Sequence, residues 1–164
     1  MSMGRGRIAR IIAVCASLLV ACCGVVAAED AGTVGGTAAE AYATEEAETA
    51  MWMRIGEADV QVEWERNESV AALMALVEQA PLEIQMSMFG GFEQVGRIGK
   101  HLPRDDEQTT TQPGDIVLYS GNRLVVFYGS NDWAYTRLGR ITDRTAEEMA
   151  ELLSNGDVVI TIGR

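Results

Sequence analysis

The sequence predicts a mainly β domain, a small barrel closed by helices, standing behind a secretion leader and a polar tether. Three observations carry that expectation. The stretch Pro113 to Ile141, PGDIVLYSGNRLVVFYGSNDWAYTRLGRI, reads as three short strands in succession. Two of them, Asp115 to Tyr119 and Leu124 to Tyr128, contain apolar runs without polar alternation, as expected of strands covered on both faces. Elsewhere, two segments carry helix signals: Val70, Leu73, Met74 and Val77 at one-face spacing, and the capping box Thr145-Ala146-Glu147-Glu148.

The chain has 164 residues, room for one ordinary domain plus extensions. Met1 to Arg10 is a basic region, and Ile11 to Val20 is apolar except for Ser17. That run is too short for an ordinary membrane-spanning helix and suits a secretory signal. Its end, Leu19-Val20-Ala21-Cys22, resembles a bacterial lipobox. The resemblance implies a signal peptide over residues 1–21, cleavage before Cys22, a lipidated Cys22 thiol and anchoring to the bacterial membrane. The alternative is a secreted protein cleaved after Ala28, at Val26-Ala27-Ala28. Residues 22–50 read as a flexible tether. From Gly24 to Ala50 there are nine alanines, four glycines, five glutamates, one aspartate and no basic residue, too little apolar surface to offset ordering entropy.

The domain is expected over residues 51–164. Met51 to Ile55 and Val60 to Trp64 flank Gly56-Glu57-Ala58-Asp59 as a hairpin, with Val60, Val62 and Trp64 facing inward. Asn67 or Ser69 caps a helix running to about Gln79, and Ala80-Pro81 ends it. Leu82 to Phe89 alternates, placing Leu82, Ile84, Met86 and Met88 inward; Gly90-Gly91 interrupts it, and Phe92 to Ile98 is expected as a bent continuation. Gly99 to Gln112 reads as a polar loop. The turns Ser120 to Arg123 and Gly129 to Asp132 separate the three strands of the central stretch, with Gly121 or Asn122 suited to positive φ. The capping box opens a second helix to about Ser154, and Asn155-Gly156-Asp157 turns into a last strand, Val158 to Ile162. The count is about eight strands and two helices.

Composition excludes several function classes. With the three arginines of the first 28 residues set aside, 10 basic residues face 24 acidic ones, a charge near −14. Nucleic-acid binding needs clustered cations to displace counterions, so no nucleic-acid partner is expected. Cys15, Cys22 and Cys23 are the only cysteines, so the domain has none for a disulfide, a thiolate zinc site or a catalytic thiol. His101 is the only histidine and reads as a surface loop residue. Asp105-Asp106-Glu107 lacks the alternating ligand spacing of a calcium loop and reads as a solvated face. There is no glycine-rich phosphate loop and no nucleophile elbow. No metal, cofactor or catalytic set is expected.

The order and spacing of these elements resemble the bacterial cyclophilin-like domain family over roughly Met51 to Ile162. The most specific parts are Gly114-Asp115-Ile116-Val117-Leu118-Tyr119, Phe127-Tyr128-Gly129-Ser130 and Trp133 to Ile141. More distantly the layout is similar to true cyclophilins. The resemblance implies a closed eight-stranded barrel capped by two helices. It also raises peptidyl-prolyl isomerisation, which lowers an amide rotation barrier of about 18–20 kcal/mol and needs neither metal nor acid–base pair. In cyclophilins an arginine on an F-H-R-type strand hydrogen-bonds the twisting amide; the matching strand here, Leu82 to Phe89, carries Gln85 and no arginine, and Arg97 and Arg137 are the substitutes considered.

The sequence therefore favours a non-catalytic binding module for a peptide or small ligand, with an isomerase of rearranged site as the alternative. A structural partner of another envelope protein is a third. Phe89, Glu93, Trp133 and Tyr135 are expected along a groove on the barrel's outer wall, with Glu93 or Arg137 orienting a bound backbone. Tyr119 and Tyr128 are read as core or interfacial aromatics. Asp115 reads as a turn residue, not a general base.

Overall fold

The computed structural model describes residues 51–164. The leader, Cys22, both cleavage positions and the tether lie outside the described residues.

Turn chemistry sets most strand boundaries. β1 (Trp52–Ile55) reverses at Gly56 into β2 (Ala58–Val60), and a single exposed residue, Gln61, separates β2 from β3 (Val62–Trp64). α1 (Glu68–Val77) starts at Asn67, whose side chain accepts the Val70 N–H at 2.9 Å and donates to the Arg137 carbonyl at 2.8 Å. One residue thus caps the helix and fixes it to a strand distant in sequence. Val70, Leu73 and Val77 are buried, as the spacing predicts.

β4 (Leu82–Phe89) and β5 (Glu93–Arg97) form an antiparallel pair, from Met86 opposite Gly96 to Phe89 opposite Glu93. This corrects the expectation of a bent continuation. Gly90 and Gly91 have φ of 63° and 77°, and two successive left-handed residues turn a hairpin back on itself. Met88, expected inward, is 42% exposed. The covering strand β10 (Val159–Gly163) pairs with β4 only from Leu82 to Gln85, and Met88 lies beyond it.

The polar loop contains a strand that the sequence reading lacks. β6 (Glu107–Thr110) pairs with the first half of β9 (Asp132–Ile141), Glu107 opposite Tyr135 and Thr110 opposite Asp132. Its residues, Glu-Gln-Thr-Thr, show no apolar alternation, so the backbone ladder supplied by β9 decides its conformation. β7 (Asp115–Tyr119) and β8 (Arg123–Phe127) are joined by a tight turn in which Ser120 and Gly121 take φ of 52° and 76°. α2 (Ala146–Leu153) carries the full capping box: Thr145 Oγ1 accepts the Glu148 N–H, and Glu148 Oε2 accepts the Thr145 N–H.

The strand order is β2-β1-β10-β4-β5-β8-β7-β9-β3, with β6 attached to β9, and every pairing is antiparallel. Because β2 and β3 are halves of one segment, the two ends of that order meet. Counted once, the segment makes eight positions around a barrel, with β6 outside it. The interior is filled by Met53, Ile84, Ile116, Leu118, Leu124, Val126 and Ile160, closed by Leu73 of α1 and Met149 and Leu153 of α2. Where the first half of the domain meets the second, a carboxylate latch forms. Buried Asp115 accepts Arg140 at 3.1 Å and Arg137 at 3.4 Å, and Arg137 also reaches Glu65 at 3.4 Å.

Closure depends on a close backbone approach. A Cβ on Gly139 would sit 2.5 Å from the Glu63 carbonyl oxygen, and both belong to paired strands that have little room to part. Gly139→Ala is therefore expected to destabilise the domain by about 1–3 kcal/mol, read as a lowered urea midpoint with an unchanged slope; an unchanged midpoint would show that β3 is free to move outward.

Candidate functional site on the outer wall

Strand alternation gives the barrel wall two apolar faces. Ile116, Leu118, Leu124 and Val126 point into the barrel, while Val117, Val125 and Phe127 alternate with them and form a second cluster outside with Tyr135. Phe92, Val95 and Tyr119 pack against that outer cluster. The rings interlock: Phe127 meets Tyr135 edge to face at 5.7 Å, Tyr119 meets Tyr135 likewise at 6.0 Å, and Phe92 lies parallel to Phe127 at 6.5 Å.

Above this cluster opens a cavity of about 440 Å³, lined by Val95, Val125, Tyr119 and Tyr135, with Phe89, Glu93, Arg123, Asn131 and Trp133 around them. Phe89 and Trp133 are 65% and 56% exposed. Both are strand residues beside turns: Phe89 ends β4 before Gly90-Gly91, opposite Glu93, and Trp133 is the second residue of β9, opposite Thr109. Tyr135 Oη accepts the Asn131 amide N–H at 2.8 Å, which fixes the ring's outer edge.

Glu93 is the electrostatic centre of the cavity. It is the first residue of β5, only 6% exposed, and its Oε2 has no hydrogen-bond partner among the described residues. Desolvation disfavours the carboxylate and pushes its pKa up to about 7. The Tyr135 phenol is also raised, first by burial, then by the negative charges of Glu93 and Tyr119, against the lowering effect of its bond from Asn131. A buried carboxyl without a partner is costly in a folded domain, and here it lines a cavity.

Four of the five ligand-binding residues expected from sequence, Phe89, Glu93, Trp133 and Tyr135, line this one cavity. Arg137 does not; its guanidinium is engaged by Asp115 and Glu65. Tyr119, read as a core or interfacial aromatic, lies on the cavity wall, whereas Tyr128 belongs to the barrel core. Arg123, Asn131, Val95 and Val125 were not anticipated. Arg123 shares outward parity with Val125 and Phe127, and that parity was the signal available. It stacks 5.8 Å from the Tyr119 ring.

A second, more polar depression of about 480 Å³ adjoins the first and shares Val95 and Arg123 with it. Gln85 of β4 lies here together with Arg97. Asp115, far from being a simple turn residue, is the buried acid of the latch described above. His101 lies on the exposed surface, 3.4 Å from the Asn122 amide. Asp106 is taken up by Thr136 at 2.6 Å and Arg104 at 2.8 Å, and Glu107 enters β6, so the acidic run is distributed among structural contacts.

An antiparallel barrel closed by two helices, with an aromatic cavity on its outer wall, defines a cyclophilin-like architecture. The family model described as "cyclophilin-like family" matches residues 53–163, and the chain belongs to that family. No curated protein matches it. Among solved structures, McbB in complex with tryptophan is similar, with a TM-score of 0.53 at 13% identity. The likeness covers 70% of this chain and 44% of McbB, so the chain spans less than half of that protein.

Glu93 carries a pH dependence of known sign. The unfolded chain releases this proton near 4.5 and the folded one near 7, so folding is progressively disfavoured as pH rises between those values and not further above them. Glu93→Gln removes that slope. The variant is expected to match the parent near pH 5 and to exceed it by ~2–3 kcal/mol at pH 8, measured by urea denaturation at both pH values; equal stabilities at pH 8 would mean that the carboxylate is solvated in place.

Proposed function

We propose that this chain is a lipid-anchored, extracytoplasmic binding module whose outer-wall cavity receives an aromatic or prolyl group of a peptide or small ligand, with no covalent chemistry. The observation that carries the reading is the pair of exposed aromatics, Phe89 and Trp133, set beside turns at the edge of an apolar cavity. Isolated exposed apolar residues are ordinary, but two large rings converging on one concavity suit ligand contact. McbB, a structure of similar fold, was solved with tryptophan; a ligand of comparable ring size suits a cavity of about 440 Å³. The lipid anchor rests on the Leu19-Val20-Ala21-Cys22 motif alone.

The isomerase alternative draws on one observation. Arg97 and Arg123 line the depression that contains Gln85, so either guanidinium is a candidate for the role the cyclophilin arginine has on the matching strand.

Exchange NMR on a panel of X-Pro peptides, with the purified chain at low stoichiometry, separates the readings. Binding shifts without faster cis/trans exchange are expected, together with loss of the peptide-induced fluorescence change in Trp133→Ala. Accelerated exchange that disappears in Arg97→Ala or Arg123→Ala would replace the module with an enzyme. An absence of shifts across the panel would remove prolyl peptides as ligands. Cys22→Ser is expected to move the protein from the membrane fraction to the soluble one; retention at the membrane would exclude the lipid anchor.

A further inference from the structure

Building on the cavity proposed above as a ligand site, we infer that its ligand class is an aromatic ammonium: a ring seated among Tyr119, Tyr135 and Trp133, with a cationic nitrogen on the Glu93 carboxylate. Three features of the site lead there. Glu93 is 94% buried, its Oε2 lacks any partner among the described residues, and it lines the cavity. A buried acceptor left open in this way is matched by a ligand that brings donors, and an ammonium brings three. The walls are aromatic faces, which attract a cation electrostatically as well as burying an apolar ring. The only cationic side chain on the cavity, Arg123, stands apart from Glu93: in the β5–β8 register Glu93 opposes Phe127, and Arg123 opposes Arg97. That is four residues along the strand, about 13 Å. Among the described residues no cation pairs with Glu93, and the guanidinium repels a ligand ammonium toward the acidic end.

The groups facing Glu93 give the binding a simple pH dependence. They are the Tyr135 phenol of β9, the Tyr119 phenol of β7 and the neutral Asn131 amide, with the Arg123 guanidinium of β8 on the same cavity but further along the wall. Burial raises the Tyr135 phenol further above its ordinary value, so it stays neutral between pH 5.5 and 8 while the Glu93 carboxyl changes charge. An ammonium binds its ionised form. With the carboxyl titrating at about 7, affinity is expected to fall about 30-fold from pH 8 to pH 5.5.

Two sources share this chemistry, a free arylalkyl amine and the N-terminus of a peptide beginning with an aromatic residue. Calorimetric titration of the full chain at pH 7 with 2-phenylethylamine, 2-phenylethanol, 3-phenylpropionate, Phe-Ala-Ala and N-acetyl-Phe-Ala-Ala tests the inference. The expected result is at least tenfold tighter binding of the amine than of the alcohol, no binding of the acid, loss of the amine preference in Glu93→Gln, and loss of amine affinity in the parent chain at pH 5.5. Because the pH series uses the unaltered chain, a variant that fails to fold does not block the test. Phe-Ala-Ala binding tighter than the amine, with the acetylated peptide silent, identifies the peptide source; the reverse order identifies the small amine. Equal binding of alcohol and amine, or binding that strengthens on acidification, overturns the ammonium inference and leaves the cavity as a ligand site. If no probe binds, the ammonium inference falls, while the module reading of this cavity stands or falls with the X-Pro peptide panel.

Discussion

Everything functional in this domain depends on one constraint: the wall built by β5, β8, β7 and β9 is apolar on both faces. Burying only the inward set, Ile116, Leu118, Leu124 and Val126, would leave Val117, Val125 and Phe127 open to water. Fully exposing such residues costs about 1.5–3 kcal/mol each. The chain covers them with rings from neighbouring segments, Phe92 from the β4–β5 turn, Tyr119 from the end of β7 and Tyr135 from β9. The cover is incomplete, and the gap is the cavity.

The same constraint explains the state of Glu93. It begins β5 opposite Phe127, so the register that builds the wall sets a carboxyl among rings. Other buried polar groups of the domain show what a structural solution looks like. Gln94, the next residue, points the other way and its amide nitrogen donates to the Leu153 and Gly156 carbonyls, tying the end of α2 to the barrel, although its Oε1 has no partner among the described residues. Asp115 has two arginines and the Gln112 N–H. Against those, an unpaired Glu93 stores a desolvation cost that no contact among the described residues offsets. Such a cost in the lining of a cavity is a feature of sites more often than of scaffolds.

The sequence disclosed most of the fold because its strongest signals are local. Asn67, the Thr145 capping box, the Ser120-Gly121 turn and the apolar runs of β7 and β8 each specify their own conformation. Its failures have a common cause. β6 is polar and takes its conformation from β9; the strand after Gly90-Gly91 reverses because two glycines adopt left-handed geometry, although the apolar pattern alone fits a bent strand as well. Site residues follow the same division. Phe89, Trp133 and Tyr135 were legible as aromatics beside turns, and Glu93 as an acid following one. Arg137 shares outward parity with Tyr135 and stands opposite Val117, but Asp115 and Glu65 engage its guanidinium, a long-range pairing that strand parity does not show. Arg123 was passed over because the sequence reading put it in the turn, whereas it is the first residue of β8 and shares the outward parity of Val125 and Phe127.

The charge of the whole domain bears on the same cavity. Residues 51–164 hold 10 basic and 18 acidic side chains. Six of the ten cations, Arg54, Arg104, Arg137, Arg140, Arg144 and Arg164, are already paired with acids. The potential around the barrel is therefore negative, which raises the local concentration of cations and lowers that of anions. At ordinary ionic strength that field decays over about 8 Å, so it guides an approaching ligand without fixing it. Fixation requires a short-range partner, and among the cavity residues Glu93 is the one acid available. Long-range field and local acceptor thus favour the same sign of ligand, while Arg97 and Arg123, opposed across β5 and β8 without an acidic partner among the described residues, form a cationic spot at the other end of the wall. The wall is thus polarised along its length, acidic at Glu93 and cationic at Arg97 and Arg123.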